Sequence, residues 1–331
     1  MKKTVFAFLL CLILLIASCG EEEKVSERQI YAMDTVCSLS VQGDEKTVDK
    51  ITDMLYKLDK VFSPYDGELE ELNRNGGGEM SEDVCDLLAE AVECQRETGV
   101  FHPWLGSVIE LWGIGSKNYI PTDAEISGAL SSAGIYNVES DGKTIKLTNG
   151  AMLNFGAIAK GYASDKIREI LKADKVESAI ICLGGNVYVH GKKSDGSLWR
   201  VGLRDPKGNE NSWFCTLKLE DKFIISSGDY ERYFERDGKR YHHIIDPKTG
   251  RPAESDLMSV TVISDSGARG DAYSTALYIM GKEKALDFWK EQKSFELVLV
   301  CRDGTVTVTE GLSDCFEENR EAGYIYETAH R

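Results

Sequence analysis

The amino-acid sequence predicts a protein of the α+β class, on the evidence of two patterns. Glu45–Phe62 and Ala159–Ala173 each place apolar side chains at the spacing of one helix face. Much of the remaining chain consists of short apolar or alternating runs joined by short links, which is typical of strands that pair antiparallel. We therefore expect mostly antiparallel sheets with flanking helices.

The other elements follow from local signals. Asn73–Gly78 is rich in glycine and is expected to be a loop, while Ser81 and Gly99 have the residue types that begin and end a helix. Further helices are predicted over Asp123–Ala133, Asp271–Met280 and Lys282–Glu291. Strands are predicted over Tyr31–Val41, Thr144–Thr148, Ser178–Leu183, Val187–His190, Trp199–Leu203, Phe214–Leu219, Phe223–Ser226, Tyr241–Ile245, Met258–Ile263, Phe295–Cys301 and Thr305–Thr309.

Composition excludes two classes of protein. The 331 residues carry 39 Lys and Arg against 55 Asp and Glu, which gives a formal net charge of −16. With 42% hydrophobic and 28% charged residues, the chain can bury a core and is not disordered over most of its length. A strongly acidic protein is also a poor ligand for polyanions, so we expect no nucleic-acid partner.

The first residues have the layout of a lipoprotein export signal. Lys2 and Lys3 precede an apolar run that is shorter than the roughly 20 residues of a membrane-spanning helix. The run ends in Ala17-Ser18-Cys19, which resembles the lipobox of bacterial lipoproteins; a plain secretory signal or a short uncleaved anchor is the alternative. We expect a signal peptide over residues 1–18, an acidic tether over 19–29 that is lipid-anchored through Cys19, and one catalytic domain over 30–331. The protein would then be a membrane lipoprotein on the exported face of the cell, extracytoplasmic or periplasmic.

The cysteines indicate neither a disulfide framework nor a zinc site. Of the nine, Cys11 lies in the predicted signal and Cys19 at its end. The other seven are an odd number, are widely spaced and include no C-x-x-C pair. We expect them to be free thiols, several of them buried as small hydrophobic residues.

A first candidate motif, Asn154–Asp165, passes from an apolar strand end through glycine into a helix. Such a helix start presents unpaired N–H groups that suit a phosphate, and Lys160 adds a positive charge. An ordinary strand–turn–helix connection is the alternative.

A second motif, Leu183-Gly184-Gly185-Asn186, is a glycine pair within strand-like sequence. Because a strand and not a helix follows it, it does not fit a dinucleotide-binding glycine loop. The glycines are instead expected to allow a bulge or a close approach of the backbone to a ligand.

A third motif, Tyr241–Pro252, reads as a strand that enters a turn. Adjacent His242 and His243 would point to opposite faces of that strand, so that one can face a site while the other packs or faces water. A histidine of this kind can act as a general base, or it can be purely structural.

A fourth motif, Gly270–Leu277, is expected to be helical. Asp271, Ser274 and Thr275 would then share one face, and a carboxylate with two hydroxyls is an all-oxygen set that suits Mg²⁺ rather than zinc. A simple helix cap at Asp271 is the alternative.

Together and in this order, the motifs of the chain resemble those of the ApbE family of exported FAD:protein FMN transferases. The resemblance extends over nearly all of the chain after the signal. It rests on Ala32–Thr35, Phe62–Tyr65 with Leu72-Asn73, Phe101–Gly106 with Leu111–Gly115, Asn154–Gly161, Leu183–Asn186, Ser227–Arg232, His243–Pro247 and Asp271–Thr275.

The resemblance implies an ApbE-like, T-fold-related architecture and a Mg²⁺-dependent reaction. FAD, as substrate, would be split at its pyrophosphate, AMP would leave, and FMN would be joined to a Thr or Ser hydroxyl of an acceptor protein. The implied acceptors are flavin-carrying subunits of membrane redox complexes of the Rnf or Nqr type.

The resemblance also assigns roles to residues. Asp271, Ser274 and Thr275 and the backbone carbonyl of Ala157 match metal ligands, and His243 matches the base for the acceptor hydroxyl. The positions that match the FAD site are Met33, Tyr65, Val100, Phe101, His102, Asn154, Lys160 and Ile245.

Two positions depart from the family pattern. The family commonly has Asp in place of Asn154, and Asp-x-Thr in place of His102-Pro103-Trp104. An amide can still bond a flavin or adenine edge. The alternatives to a transferase are a Mg²⁺-dependent FAD pyrophosphatase that gives FMN and AMP, and a non-catalytic FAD-binding lipoprotein.

Overall fold

The computed structural model describes residues 24–209 and 211–331. The α-helices of this part are α1 (Glu45–Phe62), α2 (Glu68–Asn75), α3 (Glu82–Thr98), α4 (Gly106–Trp112), α5 (Asp123–Ser132), α6 (Ala159–Ala173), α7 (Gly267–Met280) and α8 (Lys282–Gln292). The strands are β1 (Val25–Ala32), β2 (Thr35–Gln42), β3 (Gly77–Glu79), β4 (Val138–Ser140), β5 (Thr144–Leu147), β6 (Ser178–Leu183), β7 (Asn186–Gly191), β8 (Trp199–Arg204), β9 (Trp213–Leu219), β10 (Lys222–Gly228), β11 (Tyr233–Arg236), β12 (Lys239–His242), β13 (Ile245–Asp246), β14 (Arg251–Pro252), β15 (Leu257–Ser264), β16 (Phe295–Cys301), β17 (Thr305–Thr309), β18 (Phe316–Glu318) and β19 (Ile325–Ala329). None of these helices is long and apolar enough to cross a bilayer.

A nine-stranded sheet organises the fold, in the order β1-β2-β6-β7-β10-β15-β16-β17-β19. Its neighbouring strands pair antiparallel, except that β17 and β19 are parallel. Alternate residues face opposite sides, so Phe223 and Ile225 of β10 join the core beneath α1, α6 and α7, whereas Ile224 joins a second core. The three-stranded sheet β18-β9-β8 contributes Leu217 and other apolar residues to that second core. The predicted α+β class with mostly antiparallel sheets is confirmed.

The run predicted as one strand over Tyr31–Val41 is instead a hairpin. Strands β1 and β2 pair in register from Ala32 and Thr35 outward, and Met33 and Asp34 form the turn with φ of 54° and 56°. Positive φ at both central residues is the conformation that matches the twist of a hairpin with a two-residue turn, although Asn and Gly are the residues usually found at these positions. Because β1 begins at Val25, residues 25–29 of the predicted tether belong to the sheet. The predicted signal peptide and Cys19 lie outside the described residues.

The strand predicted over Tyr241–Ile245 is interrupted. Strand β12 ends at His242 and β13 begins at Ile245, so His243 and Ile244 lie outside both. The His243 N–H instead donates to the carbonyl oxygen of Arg232 (3.1 Å), and Ala253 N–H donates to that of Ile244 (2.9 Å). The interruption leaves His243 beside the segment that follows β10.

Smaller corrections concern element ends. The expected loop over Asn73–Gly78 contains the end of α2 and the start of β3, with Gly76 as the left-handed residue between them. Helix α7 begins at Gly267, four residues before the predicted start, because Ser266 accepts a hydrogen bond from the Arg269 N–H and caps it. Among the described cysteines, all seven are free thiols, and five of them are buried.

Helices α6 and α7 meet at a pair of glycines. A Cβ added to Gly161 would lie 2.1 Å from the carbonyl oxygen of Gly267, and one added to Gly267 would lie 2.3 Å from that of Gly161. Across the same contact, the Asp165 carboxylate of α6 accepts hydrogen bonds from the backbone N–H groups of Gly267 (3.0 Å) and Ala268 (2.8 Å) in the first turn of α7. The relative position of the two helices is therefore fixed by backbone contact.

We expect Gly161→Ala to destabilise the protein by at least about 2 kcal/mol, because the new methyl group overlaps backbone that cannot move without separating the helices. Thermal and urea unfolding measure this change. The matched control is Gly128→Ala in α5, where an added Cβ meets nothing within 4 Å and higher helix propensity should leave stability equal or raised. Equal stability of the two variants would contradict the close contact.

Candidate functional site

The predicted site residues lie where several connections of the fold converge. The β1–β2 turn contacts the segment after β10, because Arg232 Nη2 donates to the backbone oxygen of Asp34 (3.1 Å). His243 contacts the same segment, since its Nδ1 lies 3.2 Å from the Arg232 carbonyl oxygen. The β6–β7 turn joins them through Gly185, whose added Cβ would lie 3.0 Å from a carboxylate oxygen of Glu231.

Asp271 is the centre of a group of oxygen atoms. Asp271 is 3% exposed, and its Oδ2 accepts a hydrogen bond from the backbone N–H of Gly161 (2.9 Å). Its other carboxylate oxygen, Oδ1, accepts no hydrogen bond from the described residues, so it is free to bind a cation. Thr275 lies one turn further along the same face of α7 and is half-buried.

Two serines complete this group. Ser274 donates its only hydroxyl proton to the backbone oxygen of Asp271 (2.8 Å). Ser227 is therefore the donor in its 2.7 Å contact with Ser274 Oγ, and its oxygen also lies 3.4 Å from Thr275 Oγ1. The sequence prediction assigned no role to Ser227, although the motif Ser227–Arg232 contains it. Ser274 is fully buried and already hydrogen-bonded, so Thr275 is the better placed of the two predicted hydroxyl ligands.

The start of α6 lies directly beside Asp271. The half-buried Ala157 precedes the helix, in a turn where Gly156 N–H donates to Asn154 Oδ1 (2.9 Å). Helix α6 has no side-chain cap, as a phosphate-binding helix start requires, but the Gly161 N–H is occupied by Asp271 and is not available to a ligand. Lys160 is half-buried, and its charge lowers the pKa values of His243 and Glu231.

His243 is held in the form that a general base needs. Its Nδ1 faces a carbonyl oxygen, which can only accept, so Nδ1 carries the proton and Nε2 has the free lone pair. Desolvation in this crowded position lowers the pKa of His243 well below its usual value, and the positive charges of Arg232 and Lys160 lower it further. The imidazole is therefore neutral at pH 7.

Besides Ser227, the structure adds two side chains that the sequence prediction did not assign, Glu231 and Asn186. Desolvation raises the pKa of Glu231, and the charge of Asp271 raises it further, while Lys160 opposes both effects. Asn186 is 2% exposed, and its Nδ2 has no partner among the described residues. It shares a strand face with Tyr188, which packs in the core beneath α6 and α7. Both residues lie in motifs that the sequence analysis singled out, which is the only signal that could have found them.

The predicted flavin residues fall into a connected group and two separate positions. Asn154 N–H donates to the carbonyl oxygen of Pro103 (2.7 Å), which joins the start of α6 to the segment of Val100, Phe101 and His102. Burial lowers the pKa of His102, and the charge of Asp246, next to Ile245, opposes this effect. Phe101 and Ile245 are 4% and 6% exposed, so most of each side chain packs in the core.

Met33 and Tyr65 are the two separate positions. Met33 lies in the β1–β2 turn, where its N–H donates to Asp59 Oδ1 (2.7 Å). Tyr65 follows α1, is 74% exposed, and bonds through its N–H to the nearby Ser63 Oγ (3.2 Å). An exposed aromatic ring can stack on a flavin, and this role of Tyr65 stays a prediction.

Comparison with known proteins identifies the family. The model of the ApbE family matches residues 33–299. The chain is 31% identical to the FAD:protein FMN transferase of Treponema pallidum (strain Nichols), over 92% of this chain and 93% of that protein. The crystal structure of the ApbE protein from Thermotoga maritima is similar with a TM-score of 0.82 and 30% identity, over 89% of this chain and 100% of that one. The apo structure of the flavinyl transferase ApbE from Pseudomonas stutzeri is similar with a TM-score of 0.79 and 30% identity, over 88% of this chain and 96% of that one.

The relatives are named FAD:protein FMN transferases and the structural neighbours include flavinyl transferases, so the fold is that of an enzyme. The chain belongs to the ApbE family. The resemblance stated from the sequence motifs is thereby confirmed, and so is the expectation of an enzyme.

The lowered pKa of His243 predicts the pH dependence of the reaction. Because only the neutral imidazole accepts a proton, the rate should stay constant from pH 8 down to 6.5 and fall only at lower pH. His243→Ala should slow turnover by about 10²-fold or more throughout this pH range. Single-turnover rates between pH 5 and 8 measure the profile of the unmodified protein and the loss of rate in the variant. An acid limb centred above pH 6.5 in the unmodified protein would show that another group is the base.

Proposed function

We propose that this chain transfers FMN from FAD to a Thr or Ser hydroxyl of an acceptor protein and releases AMP. The observation that carries the proposal is the juxtaposition of the Asp271–Thr275 oxygen group with Lys160 and the neutral His243. The printed names of the relatives, FAD:protein FMN transferase, support the same reaction class.

The residues present fit a magnesium ion. Asp271 Oδ1, Thr275 Oγ1 and the carbonyl oxygen of Ala157 are hard oxygen donors, and Ser274 is a further predicted ligand. No group of three or more His, Cys, Asp or Glu side chains that could hold a metal occurs among the described residues, so the proposed ion would rely on hydroxyl and carbonyl oxygens beside the one carboxylate. Bound Mg²⁺ would supply charge neutralisation at the phosphates.

The transfer then needs one proton acceptor and one in-line displacement. His243 Nε2 takes the proton of the acceptor hydroxyl while that oxygen forms a bond to the FMN phosphorus. The bond between this phosphorus and the bridging oxygen breaks, and AMP leaves with the bonding electrons. Lys160 would hold the phosphate oxygens, and this local positive charge would offset the −16 net charge of the chain when an anionic substrate binds.

The residues predicted for the FAD site would hold the parts of FAD that lie beyond its phosphates. Asn154 with Val100, Phe101 and His102 forms one wall of this proposed site, Ile245 supports it from the core, and Met33 and Tyr65 complete it. The acceptors proposed are flavin-carrying subunits of Rnf- or Nqr-type membrane redox complexes. Lipidation of Cys19 would place the enzyme on the exported face of the membrane beside them.

One assay tests the reaction class. The purified chain is incubated with FAD, Mg²⁺ and an acceptor domain, and flavin fluorescence on the acceptor band and AMP release are both measured. We expect a labelled acceptor and one AMP per label. AMP without a label would indicate an FAD pyrophosphatase, and FAD binding without either product would indicate a non-catalytic flavin-binding protein.

We expect Asp271→Asn to lower Mg²⁺-dependent transfer at least about 10²-fold, because the amide weakens the metal site by one charge. FAD affinity and thermal stability are measured in parallel to separate this effect from loss of the contact with Gly161. The matched control is Asp287→Asn on the exposed face of α8, which should keep full activity. An unchanged rate in Asp271→Asn would refute the metal assignment.

A further inference from the structure

The hairpin of β11 and β12 carries the proposed base at its open end. Within the described residues, these two strands form a sheet of their own and pair with no other strand. Tyr233 and His242 are the pair at the open end. His243 follows directly, and its N–H continues the ladder by donating to the carbonyl oxygen of Arg232 (3.1 Å). The position of His243 in the site therefore depends on the contacts that hold this end of the hairpin.

Arg232 joins the open end of the hairpin to the β1–β2 turn. Its Nη2 donates to the backbone oxygen of Asp34 (3.1 Å). Its carbonyl oxygen accepts the backbone N–H of His243 and also faces the imidazole Nδ1 (3.2 Å). The turn is held from its other side as well, because the Met33 N–H donates to Asp59 Oδ1 of α1 (2.7 Å). A continuous set of hydrogen bonds thus runs from α1 through the turn and Arg232 to the imidazole.

The charge of Arg232 acts on the same imidazole. Desolvation is the main reason that the pKa of His243 is lowered, and the positive charge of Arg232 is the next. Lys160 at the start of α6 and His242 on the hairpin lower this pKa further, while the hydrogen bond to the carbonyl oxygen opposes them. Arg232 thus supplies an acceptor for the Nδ1 proton and a charge that disfavours a second proton on Nε2.

We propose that Arg232 is a positioning residue for the transfer reaction, whose side chain ties the hairpin to the β1–β2 turn and so sets the His243 imidazole against the FAD site. The proposal rests on the proposed function, in which His243 is the base and Met33 of this turn lies at the FAD site. Arg232 itself would touch neither FAD nor the acceptor hydroxyl. Because Arg232 is exposed, its replacement should leave the fold intact.

Nitrogen-15 NMR of the full chain with labelled histidine reads the effect on His243 directly. The chain contains five histidines, and His243→Asn assigns the signal. We expect the unmodified protein to hold His243 as the Nδ1–H tautomer at pH 7. Arg232→Met removes the bond to Asp34 and the positive charge together. The signal should then become a mixture of the two tautomers, and the pKa of His243 should rise because a repelling charge is gone.

Single-turnover transfer at saturating FAD, with the acceptor domain of the transfer assay, gives the second measurement. We expect Arg232→Met to lower the rate about tenfold and to change the Kd for FAD less than about twofold, because the turn keeps its bond to Asp59. Arg232→Lys keeps the charge and an N–H donor and should recover part of the rate. The matched control is Arg236→Met, which removes a charge at the far end of the same hairpin and should change neither measurement.

An unchanged tautomer of His243 in folded Arg232→Met would overturn the proposal. So would an equal change in Arg236→Met, because a distant charge and not the contact with Asp34 would then be responsible. The NMR measurements use neither FAD nor an acceptor. The positioning role of Arg232 can therefore fail while flavin transfer is observed, and a failure of flavin transfer leaves the NMR result to decide whether Arg232 positions His243.

Discussion

The hydrogen bond from the Gly161 N–H to Asp271 Oδ2 is the contact on which the site depends. This hydrogen bond exists only because Gly161 and Gly267 have no side chains, which lets the backbones of α6 and α7 come into contact. One carboxylate oxygen is thereby fixed, and the other is the oxygen that we propose as a ligand of the magnesium ion. A second acidic residue, Glu231, interacts with Asp271, and because its pKa is raised it adds less negative charge where an anionic substrate would enter.

The strongly periodic elements could be predicted from the sequence, and the contacts between elements could not. Helix α1 has the predicted bounds because its apolar stripe is regular and Asp44 caps its first turn. The turn at Met33 and Asp34 was not predicted, because Met disfavours positive φ and the pair contains no glycine; the pairing of β1 with β2 stabilises the turn instead. The break at His243 depends on a hydrogen bond to Arg232, which no local spacing encodes.

The same distinction applies to the site. Asp271 and Thr275 are four residues apart on a helix, so their shared face could be derived from the sequence. Ser227 reaches Ser274 across 47 positions, and Asn186 lies near the site only because β7 pairs with β10. Residues that belong to a site through sheet pairing can be recognised in the sequence only by a motif that contains them, and their role needs the three-dimensional arrangement.

Strand β1 sets the distance between the start of the fold and the turn that carries Met33. Its eight residues run from Val25 to the turn that carries Met33, and at about 3.3 Å per residue this is a rigid spacer of about 26 Å. The end of β1 that carries the site therefore points away from the residues that precede the fold. If Cys19 is lipidated as proposed, the Met33 end of β1 would lie about 26 Å farther along the strand than the end at which the lipid-anchored segment enters the fold.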